Sequence, residues 1–377
     1  MGYALRAARN LKDRFGEMRD HLLTDSRFLA WAGAFPPTRI VARKRAAKLF
    51  DLCAGFVYSQ ILYACVTLDL FEILRDRPRQ ASLLARRFGM PEDAVRRLLA
   101  GAVALRLVER RGGDRFGLGP LGAAIVANPG VAAMVRHHDL LYADLADPVS
   151  LLRGARGETE LAAYWPYANS ANPARLSAEA VAPYSRLMSL SQPLVAEEIF
   201  DVYPFSRHSC LLDIGGGEGA FLIAVGRRAP SLKLLLFDLP AVAARASENL
   251  AKAGFGPRSA TFGGDFRTDD LPKGADVATL VRVLLDHDDR TVLKILKAAR
   301  RALKPGGTLL IAEPMAESPG AELIGDAYFG FYLMAMGGGR PRSSKELGIL
   351  VEQAGFTGCR FTTGRRVLRT GVMTARC

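Results

Sequence analysis

Between Leu211 and Phe221 the chain reads Leu-Leu-Asp-Ile-Gly-Gly-Gly-Glu-Gly-Ala-Phe, which is an apolar run, a glycine-rich turn and the opening of a helical pattern. Glycines lack β-carbons and let backbone approach a ligand, and a doubly wound sheet binds nucleotide-like ligands at the carboxyl ends of its strands. Alone the pattern is weak, because tight turns need glycine for their own geometry. Two later segments sharpen it. Asp238 stands nineteen residues after Gly219 and is followed by Leu239 and Pro240, so its carboxylate can accept both hydroxyls of a ribose at a strand end. Gly264-Asp265-Phe266 offers a carboxylate beside an aromatic face, suited to an adenine amine and its ring. A helix cap explains Asp238 singly and core packing explains Phe266 singly. Their occurrence at successive strand ends favours a nucleoside held by Asp213, Gly215, Gly217, Asp238, Leu239, Asp265 and Phe266.

No metal site is expected. Adjacent His137 and His138 point about 100° apart on a helix, which makes them poor joint ligands. The five cysteines show no Cys-x-x-Cys pair and are odd in number, which fits a reduced cytoplasmic compartment, as does the lack of a signal-peptide pattern.

The elements that must position these residues follow from periodicity. After Cys210, short apolar runs at 211–214, 233–238, 260–262, 277–283 and 308–312 read as buried parallel strands. Helices at 220–229, 241–254 and 290–303 lie between them, the last stopped by Lys304-Pro305-Gly306-Gly307. This alternation predicts an α/β fold with a C-terminal doubly wound, Rossmann-like sheet. Upstream, helix 81–88, a turn at Gly89, helix 92–105 and a hairpin of 107–111 with 115–118 predict a winged helix, preceded by apolar helices from Lys48 to Leu74. The expected divisions are a basic amphipathic extension at 1–47, a helical and winged-helix domain at 48–120, a helical connector contributing to the pocket at 121–205, and the ligand-binding domain at 206–377.

A winged helix can read DNA, and Arg86, Arg87, Arg96, Arg97, Arg110 and Arg111 could contact phosphates. Its second helix, however, carries Val95, Leu98, Leu99, Ala102, Val103 and Leu105 where a reader needs polar side chains. Packing against protein is the better reading, and no nucleic-acid partner is expected.

The segments at 211–221, 237–240, 264–266, 282–289, 304–307, 313–314 and 338–340 together resemble the plant-type class I O-methyltransferases and their bacterial relatives, over roughly residues 48 to 377. The resemblance implies S-adenosyl-L-methionine as cofactor, with Arg282 among its binding residues. It also implies a small-molecule hydroxyl as acceptor and a homodimer built through the winged helix and the helices before it. Departures within two of these motifs stand out. Relatives usually carry a general-base histidine where this chain has Leu285, a tryptophan where it has His287, and that histidine's acidic partner where it has Pro341. Glu313 matches the family's other supporting carboxylate. The catalytic candidates are therefore His287, Asp286 and Glu313: His287 either takes the proton or orients Asp286 and a water, the competing reading being an imidazole that fills the tryptophan's volume.

Residues 282–289, 334–343 and 140–148 resemble one branch, the hydroxycarotenoid (demethylspheroidene-type) O-methyltransferases of purple photosynthetic bacteria, which methylate a tertiary 1-hydroxyl on a long polyene. A tertiary alcohol is too weak an acid to ionise near neutrality, so alignment with the sulfonium methyl, contributing ~7–11 kcal/mol, gains weight over base strength. Met188, Leu285, Met315, Tyr332 and Met336, with Phe329 and Met334, are the expected walls of an apolar pocket. An aromatic polyketide or phenol as acceptor, or a winged-helix regulator with a methyltransferase-like ligand domain, are the competing functions.

The formal charge of +13 is partly concentrated, since residues 1–45 hold ten Lys/Arg against four Asp/Glu. Residues 4–23 place Leu5, Ala8, Leu11, Phe15, Met18 and Leu22 on one helical stripe. That stripe either packs on its own domain or a partner subunit, or lies on an anionic membrane surface, making the protein peripheral at the inner or photosynthetic membrane. The longest apolar run, 52–68, includes Ser59 and Gln60 and falls short of the ~20 residues a span needs, so no integral span is expected.

Overall fold

A computed structural model describes residues 2–154, 159–165, 173–366 and 368–377, with backbone alone for residues 2–12. The chain divides into two compact units, Met1–Ala123 and Ala124–Cys377.

The first unit opens with helices α1 (Gly2–Thr24), α2 (Ser26–Ala34) and α3 (Pro36–Thr67). Asp25 caps α2 by accepting the Arg27 and Phe28 N–H groups at 2.7 and 3.3 Å, and Pro36 opens α3 where no N–H partner is required. Leu5, Ala8 and Leu11 of the expected amphipathic stripe lie outside the described side chains, whereas Phe15, Met18 and Leu22 are exposed. The apolar helix expected from Lys48 begins earlier, at Pro36, and ends before Asp69, whose φ of 52° breaks it from helix Leu70–Arg75. By length and composition alone α3 would suffice to cross a bilayer.

A two-residue strand β1 (Arg79–Gln80) leads into helix Ala81–Phe88, a left-handed Gly89, helix Glu92–Ala104 and the hairpin of β2 (Val108–Arg111) and β3 (Arg115–Leu118). The helices and hairpin follow the predicted order. The third strand, which gives the order β1-β3-β2, is too short to leave a sequence signal. Val95, Leu99 and Ala102 of the second helix are buried, so its apolar face is spent on packing.

In the second unit, helices Pro129–Asp144 and Ala178–Phe200 pack on each other ahead of the sheet. The strands are β4 (Cys210–Ile214), β5 (Lys233–Asp238), β6 (Ser259–Gly263), β7 (Ala275–Val281), β8 (Leu303–Glu313), β9 (Thr357–Thr363) and β10 (Gly371–Arg376), in the order β6-β5-β4-β7-β8-β10-β9. β4 to β8 are parallel, while β10 inserts antiparallel between β8 and β9, so the sheet is mixed. Leu212 and Ile214 face one core and Leu211 the other, as the period of two in a strand covered on both faces requires. Because β5 and β7 flank β4, the chain leaves β4 in one direction and later returns on its other side. That reversal opens a crevice at the carboxyl edge, beside Ile214, Asp238 and Val281.

Candidate active site

A solvent-open cleft occupies this edge. Asp213, Gly215, Gly217, Asp238, Leu239, Asp265, Phe266 and Arg282 all border it, together with Asp286, His287 and Met188. The turn after β4 winds through positive φ at Gly215 (69°) and Gly217 (58°), which a side chain would strain.

Asp238 ends β5 and accepts the Gly217 N–H at 2.8 Å on Oδ2 and the Leu239 N–H at 2.7 Å on Oδ1. Burial pushes its pKa up to about 6 against the opposing pull of those two donors. Each oxygen keeps a second lone pair for a ligand hydroxyl. Asp213, opposite Thr279 in the β4/β7 register, accepts the Thr279 hydroxyl at 2.6 Å on Oδ1 while Oδ2 has no donor. Burial raises its pKa to about 7. A buried acceptor without a donor costs ~1–3 kcal/mol, and a cationic ligand group in the cleft would satisfy it. At the end of β6, Asp265 is already engaged by the Arg267 guanidinium at 2.6–3.0 Å, and the Phe266 ring stands edge-to-face with His287 at 5.5 Å. An adenine amine would therefore share Asp265 with Arg267.

Arg282 follows β7 in a left-handed conformation (φ 56°). Its guanidinium donates to Ser191 Oγ at 2.9 Å, Met188 O at 3.1 Å and Gln192 Oε1, clamping helix Ala178–Phe200 over the cleft. Asp286, in the next turn, donates its backbone N–H to Val283 O at 3.3 Å, while its carboxylate has no hydrogen-bond partner among the described residues. Burial first, and the Glu313 charge second, push its pKa up to about 8, with Arg282 opposing. His287 is driven down to about 4 by burial, so its imidazole is neutral. Glu313 lies behind the cleft, fully buried, accepting the Leu285 N–H at 3.1 Å on Oε2.

Sequence reasoning missed what pins this turn. Arg342, fully buried, donates to Leu284 O at 2.9 Å, His287 O at 2.6 Å and Asp289 Oδ1 at 2.7 Å. A β-carbon at Gly339 would come within 2.0 Å of Leu285 O, so only glycine fits there. Of the expected pocket walls, Met188 borders the cleft. Leu285, Tyr332 and Met336 pack together around Trp165, itself a cleft residue. Met315 belongs to the core under the sheet and does not reach the cleft. His137 and His138 bond separate tyrosines, Tyr332 and Tyr328, each at 2.8 Å. Tyr328 lies on a π-helical segment, Leu323–Phe329, a distortion common near functional sites. No cluster of metal-ligating side chains occurs among the described residues.

With this geometry in hand, two family profiles match the chain: an O-methyltransferase domain over residues 142–357 and an O-methyltransferase dimerisation domain over 50–128. Demethylspheroidene O-methyltransferase of Cereibacter sphaeroides is 43% identical over 349 residues, covering 93% of this chain and 92% of its own length. The protein of the same name from Rhodobacter capsulatus is 44% identical over 317 residues, covering 84% and 78%. Among solved structures, human N-acetylserotonin methyltransferase in complex with S-adenosylmethionine shares the fold at a TM-score of 0.74 and 23% identity, covering 88% of this chain and 97% of that one.

Proposed function

The chain belongs to the O-methyltransferase family, and from that premise we propose that it methylates the tertiary 1-hydroxyl of an acyclic hydroxycarotenoid in carotenoid biosynthesis. It is an S-adenosylmethionine-dependent O-methyltransferase, and its dimerisation domain supports a homodimer. The observation that carries the site assignment is the convergence on one cleft of a donorless Asp213 oxygen, a ribose-type carboxylate at Asp238 and the carboxylate of Asp286.

The residues present fit the cofactor. Asp238 would take the ribose hydroxyls, Phe266 and Asp265 the adenine, and the orphaned Oδ2 of Asp213 the ammonium of the methionyl part. When bound, S-adenosylmethionine supplies an electrophilic methyl group on a positively charged sulfur.

Leu285 leaves the family's usual base position apolar and buried, so the proton acceptor must be sought beside it. Asp286 is the better candidate. A carboxylate held near neutrality by burial is matched to accept a proton at working pH, and nothing else competes for its oxygens. His287, a much weaker base, forms the wall against Phe266. Glu313 and Arg342 hold the turn at Leu285 and at Leu284, His287 and Asp289, which fixes Asp286 between them. Trp165, Tyr184 and Met188 line the side facing an apolar chain, and Leu285, Tyr332 and Met336 back it. Because such a substrate partitions into bilayers, the enzyme works as a peripheral protein at the cytoplasmic face of the inner or photosynthetic membrane.

The test incubates the protein with methyl-labelled S-adenosylmethionine and separate carotenoid and phenolic extracts. Label in the carotenoid fraction supports the reading. Label in the phenolic fraction instead would give an aromatic polyketide or phenol as acceptor, and label in neither would favour a ligand-sensing regulator.

A further inference from the structure

We propose that the corner where α2 meets α3 is the surface that docks this protein on an anionic bilayer. This deepens the peripheral-membrane reading and moves the contact from residues 4–23, where periodicity alone placed it, to residues 26–49. Both family profiles leave this segment out, the dimerisation match beginning at residue 50.

Two features coincide there. Phe28 and Trp31 lie one turn apart on α2, and Phe35 is the extended residue that joins α2 to α3. Their rings form a run, with Trp31 and Phe35 stacked at 5.0 Å and Phe28 at 5.8 Å from Trp31. Trp31 is 53% exposed and Phe35 42%, a costly placement in water but the one interfacial aromatics adopt at lipid headgroups. Beside them, residues 26–49 carry Arg27, Arg39, Arg43, Lys44, Arg45 and Lys48, all exposed, and no Asp or Glu. Ile40 and Val41 are exposed between those charges, and Leu49 is exposed just after the last of them.

The charge decides between the two occupants an apolar surface could take. A second copy docked on the same patch by two-fold symmetry would set one block of positive charges against another with no acid in the segment to neutralise it. An anionic leaflet supplies the opposite sign over the whole area, and aromatics beside basic residues match the headgroup layer. Leu52, Phe56 and Val57, also exposed, fall inside the dimerisation match and are left to the partner subunit.

The experiment cosediments the full-length protein with vesicles of phosphatidylcholine alone and of phosphatidylcholine with phosphatidylglycerol, containing no carotenoid, so that it fails independently of the substrate assignment. Binding to the anionic vesicles alone, released by high salt, is expected. The Arg43→Gln/Lys44→Gln/Arg45→Gln variant changes only exposed charges and should bind them on the order of 100-fold more weakly. A Trp31→Ser/Phe35→Ser variant should also bind more weakly. Equal binding to both vesicle types, or unaltered binding by the charge variant, overturns the proposal. So does loss of the dimer by the charge variant in light scattering, which would assign the corner to a partner subunit. Retention through salt and alkaline washes would overturn it in favour of a span by α3.

Discussion

Asp238 Oδ2 accepts the backbone N–H of Gly217 at 2.8 Å, tying the end of β5 to the turn that follows β4. The carboxylate that should receive the ribose thus also holds the glycine turn in shape. The two strand ends form one binding unit.

Asp238→Ala should therefore weaken S-adenosylmethionine binding by more than a lost ligand contact alone. Hydrogen bonds to a charged group contribute ~1.5–3 kcal/mol each, so a fall of at least tenfold is expected in calorimetry, with the fold retained. Unchanged affinity would reduce Asp238 to a brace between β5 and the turn.

Arg342 is the second target. Arg342→Lys replaces a planar fork by a compact charge that cannot reach Leu284 O, His287 O and Asp289 together. Expected are a fall in kcat, a lower melting temperature and cofactor affinity within about twofold of wild type, since the proposed cofactor contacts at Asp213, Asp238, Asp265 and Phe266 lie outside this turn; breaking a buried charged network costs ~3–5 kcal/mol. A kcat that stays put while the protein is destabilised would show that the turn needs no such pin.

For His287, the edge-to-face contact with Phe266 predicts that His287→Phe keeps most of the turnover, because the wall is preserved. His287→Ala should lose turnover and roughly 2–3 kcal/mol of stability, in the range of buried truncations. Comparable loss in both variants would return the proton-accepting role to the imidazole.

What the sequence made legible was local. The glycine turn, Asp238 and the Asp265-Phe266 pair carry their meaning within a few residues, and the short apolar runs placed their strands. The antiparallel β9 and β10 were not foreseen: Thr357–Thr363 is polar and mostly exposed at the sheet edge, and Gly371–Arg376, though buried beside β8, has only a short apolar stretch at Val372-Met373. Nor could spacing reveal that His137 bonds Tyr332, 195 residues away, or that Asp213 keeps a donorless oxygen. Met315 shows the same limit from the other side: methionine suits a pocket wall and a core alike, and only the packing under the sheet assigns it to the core.

The most direct test of the account is the pH dependence of kcat/KM for a 1-hydroxycarotenoid at saturating cofactor, measured for wild type and Asp286→Asn. Burial raises the pKa of Asp286 to about 8, so the carboxylate proposed to accept the proton is depleted at low pH and grows in as pH rises. A positively charged cofactor beside it favours ionisation and moves the inflection to about 8 or below. Wild-type activity should climb through that range and level off above it. Asp286→Asn should bind cofactor normally, lose about 10²-fold or more in rate and show no such inflection. An Asp286→Asn enzyme with near wild-type kcat/KM and the same pH profile would contradict the assignment of the proton to Asp286.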